Sequence, residues 1–306
     1  MKFKTIDPAK RLSMLEPPAD RVRAVIDTDT YNEIDDQFAV TQAILSPDRI
    51  GLEALYAAPF ENARSTGPAD GMEKSYEEIL RLLNRLDHQA DGFVFKGSTG
   101  YLKGSDIPQD SPAARDLVQK ALEREKGPLY VIAIGAITNV VSAILMEPSV
   151  IDNMVVVWMG GHAYYWHDAG DFNLKQDVIG ARLLFDCGVP VVHIPGRPIT
   201  DHLLTTVPEI ERHVAGKGQI GDYLAQIFSE YTDNPFGWSK PIWDIAAISW
   251  VIDSSWVPTV LDHSPIVTDQ RTYSRDPSRH FVRVAVSVDR DAIFRDVFSK
   301  IQSFAG

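Results

Sequence analysis

Short apolar runs alternate with amphipathic stretches along the chain as far as Arg197. The runs are rich in Val and Ile and too short for core helices, so they predict strands. These strands are Arg23–Ile26, Leu52–Ala57, Leu129–Ile134, Met154–Trp158 and Val189–Ile194. Apolar residues at helical spacing predict the helices Asp36–Leu45, Ser75–Leu86, Ser111–Arg124, Ile137–Met146 and Val178–Asp186. Uniformly apolar strands that alternate with helices are typical of buried parallel sheets. The pattern therefore predicts an α/β fold with an open, mostly parallel, Rossmann-like sheet flanked by helices.

The pattern changes after Arg197. Helical segments are expected around His202–Val214 and Gly221–Tyr231, followed by a Trp-rich stretch and a hairpin near Ser264–Val288. No segment has the composition of a linker, so residues 1–306 are expected to form one domain with helical additions in its C-terminal third. Residues 1–20 are interpreted as an N-terminal extension of that domain.

Composition and charge narrow the class of protein. The chain has 306 residues, of which 44% are hydrophobic, and this is enough to bury a substantial core. Its formal net charge of -12 argues against nucleic-acid or anionic-membrane binding, because those surfaces require clustered Lys and Arg. The single cysteine, Cys187, cannot form an intrachain disulfide, and no signal peptide or membrane-spanning apolar stretch is visible. These features predict a cytoplasmic protein that acts on a small molecule.

Five acidic residues lie between positions 27 and 36, where a predicted strand ends and a predicted helix begins. Ligands bind beyond the carboxyl ends of parallel strands, so a site is expected here. Crowded carboxylates repel one another unless a proton or cation compensates them. Asp35 and Asp36 could simply cap the helix, but capping does not explain Asp27 and Asp29. Carboxylate oxygens favour Mg²⁺ or Ca²⁺, and no zinc-ligand spacing of His and Cys is present.

One interpretation of this segment is a phosphatase. Val25–Thr30 resembles the opening motif of haloacid-dehalogenase-like phosphatases, in which the first Asp is the nucleophile and the second a general acid. That motif is short and common, and Gly170–Asp177 only loosely imitates the Lys and distal acidic pair that the enzymes also need. It gives Asp35 and Asp36 no role. A phosphatase is therefore the weaker interpretation.

A second interpretation uses more of the chain. The acidic segment resembles the Asp-x-Asp-loop-Asp-Asp signature of inosine-uridine-preferring nucleoside hydrolases, and further segments match that family in order. Ile134–Asn139 is similar to its Gly-Pro-Leu-Thr-Asn turn, Trp158–Gly161 and Asp171–Asn173 are similar to its Met-Gly-Gly and Glu-Phe-Asn motifs, and Trp243 and Asp244 lie where the family usually has His-Asp. Ordered matches between about residues 22 and 300 are far more specific than one Asp-x-Asp motif.

The resemblance implies a calcium-dependent hydrolase of the N-glycosidic bond in ribonucleosides or a related small glycoside. It implies that Asp29 is the general base and also touches the metal, with Asp36, Asp244 and the backbone carbonyl of Thr138 as further Ca²⁺ ligands. Asp27 would anchor the loop from behind. The resemblance also implies a homodimer or homotetramer.

The substrate residues follow from the same resemblance. Asp35 and Asn173 would hold the ribose hydroxyls, because a diol both donates and accepts hydrogen bonds. Asp171 would face the 5′-hydroxyl, and Met159 would pack under the sugar ring. Trp243 would lie against the base.

Two departures from the family pattern leave an alternative open. Asp29 and Asp35 are separated by five residues where the family has three, so Asn32 or Glu33 could enter the site. Trp243 replaces the His that usually protonates the leaving base. Aromatic stacking could compensate, and the candidates for it are Trp166, Trp238, Trp243, Tyr164 and Tyr231. His162 or His167 could instead supply the missing acid. The alternative is a weakly active or non-catalytic relative that binds calcium and sugar.

Overall fold

An eight-stranded sheet forms the centre of the computed structural model, which describes residue 3 and residues 5–306. The strands of the chain are β1 (Val22–Thr28), β2 (Ile50–Ala57), β3 (Val94–Lys96), β4 (Leu129–Ala133), β5 (Met154–Met159), β6 (Val191–Ile194), β7 (Leu204–Thr205), β8 (Lys240–Pro241), β9 (Thr259–His263), β10 (Ile266–Val267), β11 (Tyr273–Ser274) and β12 (Phe281–Ala285). The order in the large sheet is β3-β2-β1-β4-β5-β6-β12-β9. All neighbouring pairs in it are parallel except β12 and β9.

Helices cover the sheet and extend the C-terminal third. They are α1 (Pro8–Leu15), α2 (Asp36–Ile44), α3 (Pro68–Arg85), α4 (Pro112–Leu122), α5 (Thr138–Met146), α6 (Phe172–Gln176), α7 (Val178–Asp186), α8 (Val207–His213), α9 (Gly218–Ser229), α10 (Ile245–Ile252) and α11 (Arg290–Phe304). The predicted mostly parallel α/β fold with flanking helices is thus confirmed.

The sheet is buried on both faces, as its uniformly apolar strands require. Side chains of successive strand residues point to opposite faces. Accordingly, Val131 packs in one hydrophobic cluster and Ile132 in the other, although both belong to β4. Each face of the sheet therefore has its own apolar core.

The strand order places a crevice between β1 and β4. From this pair the order of the strands runs outward in both directions, to β2 and β3 on one side and to β5 and β6 on the other. Connections after such a pair leave toward opposite faces of the sheet, which opens a crevice at the carboxyl ends of the strands. The acidic segment after β1 and the turn after β4 both lie at this point.

Some elements differ from the predictions. Helix α10 is buried at every position, so it has no polar face and no amphipathic period. Neither α11 nor the short strand β3 was predicted. The expected hairpin near Ser264–Val288 consists of β10 paired with β11, but β12 leaves it to join the central sheet beside β6.

The N-terminal segment contains a helix. In α1, the side chain of Asp7 caps the first turn by accepting from Lys10 N at 3.0 Å. Arg283 Nε of β12 donates to the carbonyl of Leu15 at 2.5 Å, which ties the helix to the sheet. Residues 1, 2 and 4 of the expected extension lie outside the described residues. Within the described part of the chain, every helix is too short or too polar to cross a membrane.

Candidate active site

A cavity of about 230 Å³ opens at the carboxyl ends of the central strands. Its walls come from the acidic segment, from the turns after β4 and β5, and from the segments that precede α8 and α10. The residues that line it are Asn32, Glu33, Asp35, Asp36, Ile134, Met159, His162, Gly170, Asp171, Phe172, Asn173, Lys175, Gly196, Arg197, Asp201, Trp243 and Asp244. Seven of the predicted site residues are among them: Asp35, Asp36, Met159, Asp171, Asn173, Trp243 and Asp244.

Carboxylate oxygens of Asp35, Asp36 and Asp244 lie within 4.8 Å of one another. All of these side chains are buried. Asp35 precedes α2, Asp36 is its first residue, and Asp244 precedes α10, so the two helices converge on the cluster. Thr28 Oγ1 donates to Asp36 Oδ1 at 2.5 Å, which fixes that carboxylate against the end of β1.

Asp29 lies beneath this cluster. It is fully buried and does not line the cavity, and neither carboxylate oxygen has a hydrogen-bond partner among the described residues. A Cβ atom added to Gly135 would lie 3.1 Å from Asp29 Cγ, so the turn after β4 presses against this carboxylate. In Asp27, Oδ2 also has no hydrogen-bond partner among the described residues, while Oδ1 accepts from Asn139 Nδ2 at 2.7 Å.

Burial and mutual repulsion dominate the electrostatics of the cluster. Burial, with repulsion from Asp36 and Asp35, raises the pKa of Asp29 well above its usual range. The same causes raise the pKa of Asp36 and of Asp244. Burial also raises the pKa of Asp35, although the nearby ammonium of Lys240 opposes this and the pKa is about 6. The site is thus short of positive charge.

Thr138 does not join the cluster. It is the first residue of α5, where a carbonyl normally accepts from the amide four residues later, and its hydroxyl donates to Asp177 Oδ2 at 2.7 Å. The residue of this turn that lines the cavity is Ile134, at the end of β4. At this turn the cavity is therefore lined by Ile134 and not by the predicted Thr138.

Asn173 joins the ends of two strands. Its Nδ2 donates to the carbonyl of Ile134 at 3.1 Å and to that of Met159 at 3.0 Å. Asp171 caps α6, and its Oδ1 accepts from Gly161 N at 2.6 Å and Leu174 N at 2.9 Å. Burial raises the pKa of Asp171 to about 6. Asn173 Oδ1 and Asp171 Oδ2 are the oxygens that these contacts leave for a ligand.

The longer loop after Asp29 is held in place by its polar side chains. Thr30 Oγ1 donates to the carbonyl of Ser75 at 3.0 Å, and Asn62 Nδ2 donates to Asn32 Oδ1 at 2.6 Å. Glu33 forms an ion pair with Lys240, whose ammonium is buried. The extra length brings both Asn32 and Glu33 to the cavity, as the sequence suggested.

Lys240 is a residue that sequence reasoning missed. Its Nζ lies 4.3 Å from the ring centroid of Trp243 and 4.8 Å from that of Tyr231. Burial alone would lower the pKa of Lys240, but Asp35 and Glu33 outweigh burial and raise it. The residue precedes the Pro241–Ile245 segment, and a lone Lys there gives no sequence signal of its distant partner Glu33. The cavity-lining Lys175, Arg197 and Asp201 were missed for the same reason.

Substitution of Lys240→Met is expected to destabilise the protein by about 3 kcal/mol, because it leaves Glu33 without its partner beside Asp35. Urea unfolding measures the change. The double variant Lys240→Met with Glu33→Gln should recover much of that loss, since neither charge is then left unpaired. Equal stability of wild type and Lys240→Met would contradict a structural role for this pair.

Trp243 is the one predicted stacking residue that lines the cavity. Its Nε1 donates to Asp201 Oδ1 at 2.8 Å, which fixes the ring plane. Tyr164 is instead stacked on His193 with a centroid distance of 5.2 Å, and Trp238 packs against Phe228. Trp166 and Tyr231 also lie outside the cavity lining.

The two histidines after Gly161 have different surroundings. His162 is buried and lines the cavity, and its Nδ1 accepts from Arg197 N at 3.1 Å. The proton of the neutral ring is then on Nε2. Burial lowers the pKa of His162. The side chain of His167 is 76% exposed, and it pairs with Asp168 at 2.9 Å.

Solved structures that are similar to this fold include nucleoside hydrolases. A purine-preferring ribonucleoside hydrolase from Gardnerella vaginalis superimposes with a TM-score of 0.74 at 20% identity, over 92% of this chain and 99% of that one. The plant nucleoside hydrolase PpNRh1 gives a TM-score of 0.73 at 18% identity, over 94% of this chain and 100% of that one.

Sequence comparison gives the family. The family model for inosine-uridine preferring nucleoside hydrolases matches residues 24–295. The pyrimidine-specific ribonucleoside hydrolase RihA of Salmonella typhimurium is 28% identical over 265 residues, which cover 77% of this chain and 81% of that relative. The probable uridine nucleosidase 2 of Arabidopsis thaliana is 26% identical over 236 residues, which cover 70% of this chain and 71% of that relative.

The protein belongs to the inosine-uridine preferring nucleoside hydrolase family and is an N-ribosyl hydrolase. A phosphatase motif limited to Val25–Thr30 does not account for a match of this length.

Proposed function

We propose that the protein hydrolyses the N-glycosidic bond of ribonucleosides, or of a closely related small glycoside, with a bound Ca²⁺. The observation that carries this proposal is the buried convergence of Asp35, Asp36 and Asp244 beside the unpartnered carboxylate of Asp29. Family membership indicates that the cleaved bond is the N-glycosidic bond. The identity of the metal, the roles of the residues and the identity of the substrate are proposed here.

The residues fit a hard divalent cation. Buried carboxylates this close together cannot all remain ionised without a compensating charge, and the all-oxygen donor set suits Ca²⁺. Asp36 and Asp244 would hold the ion, with Asp29 and the carbonyl of Ile134 as further ligands. A Ca²⁺ held there would lower the pKa of a water molecule and orient the ribose diol.

Asp29 is the general base of this proposal. Its oxygens make no other hydrogen bond among the described residues, so they are free to accept a proton from the attacking water. Asp35 and Asn173 Oδ1 would accept hydrogen bonds from the ribose hydroxyls, and Met159 would pack under the ring. Asp171 Oδ2 would face the 5′-hydroxyl. Carboxylates around the sugar also favour the positive charge that develops on it in the transition state.

The leaving base would be received by Trp243 and His162. Trp243 offers a fixed aromatic face, and His162 offers an Nε2 proton because its Nδ1 is already an acceptor. The Nε2 atom is 3.9 Å from Asp168 Oδ1, too far for a hydrogen bond, so its proton is available to a ligand. His162 therefore takes the role that the family's usual His would have at position 243.

The variant His162→Gln is expected to reduce kcat for nucleosides roughly 10- to 100-fold, the effect of losing a positioned proton donor. Hydrolysis of p-nitrophenyl riboside should be nearly unchanged, because p-nitrophenolate leaves without protonation. Steady-state kinetics of both substrates measure the difference. His167→Gln is the matched control and should resemble wild type with both. An equal loss on the two substrates would exclude His162 as the leaving-group donor.

A substrate panel tests the function as a whole. Pyrimidine and purine nucleosides and p-nitrophenyl riboside are incubated with the protein, with and without EDTA and with p-nitrophenyl phosphate in parallel. Riboside cleavage that stops with EDTA and returns with Ca²⁺ is expected. Cleavage that survives chelation would contradict the metal role, and calcium binding without any turnover would favour the weakly active sugar-binding alternative. A sequence relative is named for pyrimidine nucleosides and a structural neighbour for purine nucleosides, so the panel includes both.

Two further properties belong to the proposal. We infer a cytoplasmic location from the reduced and buried Cys187, and a homodimer or homotetramer from the family resemblance. Fractionation and light scattering test them. The interpretation of residues 1–306 as one domain is also a prediction, and limited proteolysis tests it.

A further inference from the structure

A second cavity lies at the opposite edge of the sheet from the candidate active site. It measures about 1010 Å³, and its walls include α1, the Cys187 segment that leads into β6, and the Arg279 and His280 segment that leads into β12. These segments precede their strands, whereas the candidate active site follows the ends of β1, β4 and β5. The two cavities are therefore separate.

Arg11 in the wall of this cavity is a buried cation that has no partner among the described residues. The residue is 5% exposed, and its Nη1 has no hydrogen-bond acceptor in this part of the chain. No acidic group in the described part of the chain acts on it, since the one titratable neighbour that affects its pKa is Cys187. Burial raises the pKa of the Cys187 thiol to about 12, so that neighbour is neutral. An unpaired buried guanidinium is strongly unfavourable.

Two more residues that line the same cavity have a buried nitrogen without a hydrogen-bond partner among the described residues. These nitrogens are Arg279 Nε and His280 Nε2. Arg279 is already neutralised through its Nη2, which donates to Asp186 Oδ1 at 2.6 Å. Burial, with repulsion from Arg11 and Arg279, lowers the pKa of His280 to about 3, so the ring is neutral and can donate one proton. Because Arg279 is paired with Asp186 and His280 is neutral, the cavity wall carries one uncompensated positive charge, that of Arg11.

We propose that this cavity binds a small oxyanion, the phosphate or carboxylate group of a metabolite, through Arg11, with His280 and Arg279 beside it as further donors. A planar guanidinium matches both oxyanions through paired hydrogen bonds. The bound anion supplies the acceptor and the negative charge that Arg11 lacks.

Thermal unfolding of the full-length calcium-loaded protein tests the site, with inorganic sulfate as a soluble tetrahedral oxyanion and succinate as the carboxylate. Ionic strength is held constant with sodium chloride. Sulfate stabilises many proteins without binding, so the result is the difference between variants. Wild type should gain about 5 °C more than Arg11→Met at a saturating concentration. Arg115→Met, which removes an exposed arginine with a 65% accessible side chain, is the matched control and should respond as wild type does.

Stability in chloride and sulfate binding by a second variant also test the site. In chloride alone, Arg11→Met should be at least as stable as wild type, because it replaces an unpaired buried charge. His280→Leu should weaken sulfate binding, measured by calorimetry, about tenfold. The larger of the two responses, to sulfate or to succinate, identifies the class of oxyanion. Equal shifts in wild type and Arg11→Met would overturn the site, as would competitive inhibition of riboside hydrolysis by the same sulfate concentration.

Discussion

Asp29→Asn is expected to lower kcat for p-nitrophenyl riboside by roughly 10³- to 10⁴-fold, near the upper end of what a general base contributes. The asparagine keeps the shape of the side chain but cannot accept the proton of the attacking water. Because the substitution also removes a buried charge that repels Asp36 and Asp35, the fold should survive it. Steady-state kinetics give the rate, and circular dichroism confirms the fold.

The choice of substrate separates the base from the leaving-group donor. The proposed base would act on water, so loss of Asp29 should slow hydrolysis of nucleosides and of p-nitrophenyl riboside alike, whereas loss of His162 should slow hydrolysis of the nucleosides alone. Asp269→Asn is a suitable control, since the side chain of Asp269 is 85% exposed. An Asp29→Asn protein with a kcat within tenfold of wild type would refute the assignment of the base.

Removal of calcium is expected to abolish turnover and to lower the melting temperature by roughly 5 to 10 °C, the shift for a ligand held at about 100 times its Kd. The physical reason is the repulsion among Asp35, Asp36 and Asp244, whose carboxylates converge within 4.8 Å. Differential scanning calorimetry in EDTA and in Ca²⁺ measures this shift.

Asp244→Asn is expected to raise the stability of the metal-free protein in the same experiment. One charge fewer relieves the repulsion, so the metal-free variant should be more stable than metal-free wild type, while its response to Ca²⁺ should largely disappear. Mg²⁺ in place of Ca²⁺ tests the identity of the ion. A metal-free variant that is less stable than metal-free wild type would show that Asp244 has a structural role other than binding a cation.

The sequence was sufficient for the sheet and for the acidic cluster, because both follow from local pattern. Strands β1, β4 and β5 are continuous apolar runs, and the family's spacing locates Asp35, Asp36 and Asp244. It was insufficient for the turn after β4, since spacing identifies the turn but not which of its residues lines the cavity. The structure shows that Ile134 lines the cavity and Thr138 does not.

Contacts between distant segments explain the other features that could not be predicted from the sequence. Lys240 and Glu33 are 207 positions apart, and neither lies in a motif that points to the other. Likewise, α10 is buried on every side and almost entirely apolar, and this removed the periodicity by which helices are recognised. Burial of a whole element erases the pattern on which its prediction depends.

The ion pair of Glu33 and Lys240 makes the longer acidic loop dependent on a second part of the chain. A relative that acquired the two additional residues without Lys240 would have a carboxylate next to Asp35 with no counter-charge, and one that had Lys240 alone would have a buried ammonium without Glu33. The two positions are therefore expected to change together during divergence. Transplanting this loop into another nucleoside hydrolase would require transfer of Lys240 as well, together with the Trp243 ring that it covers.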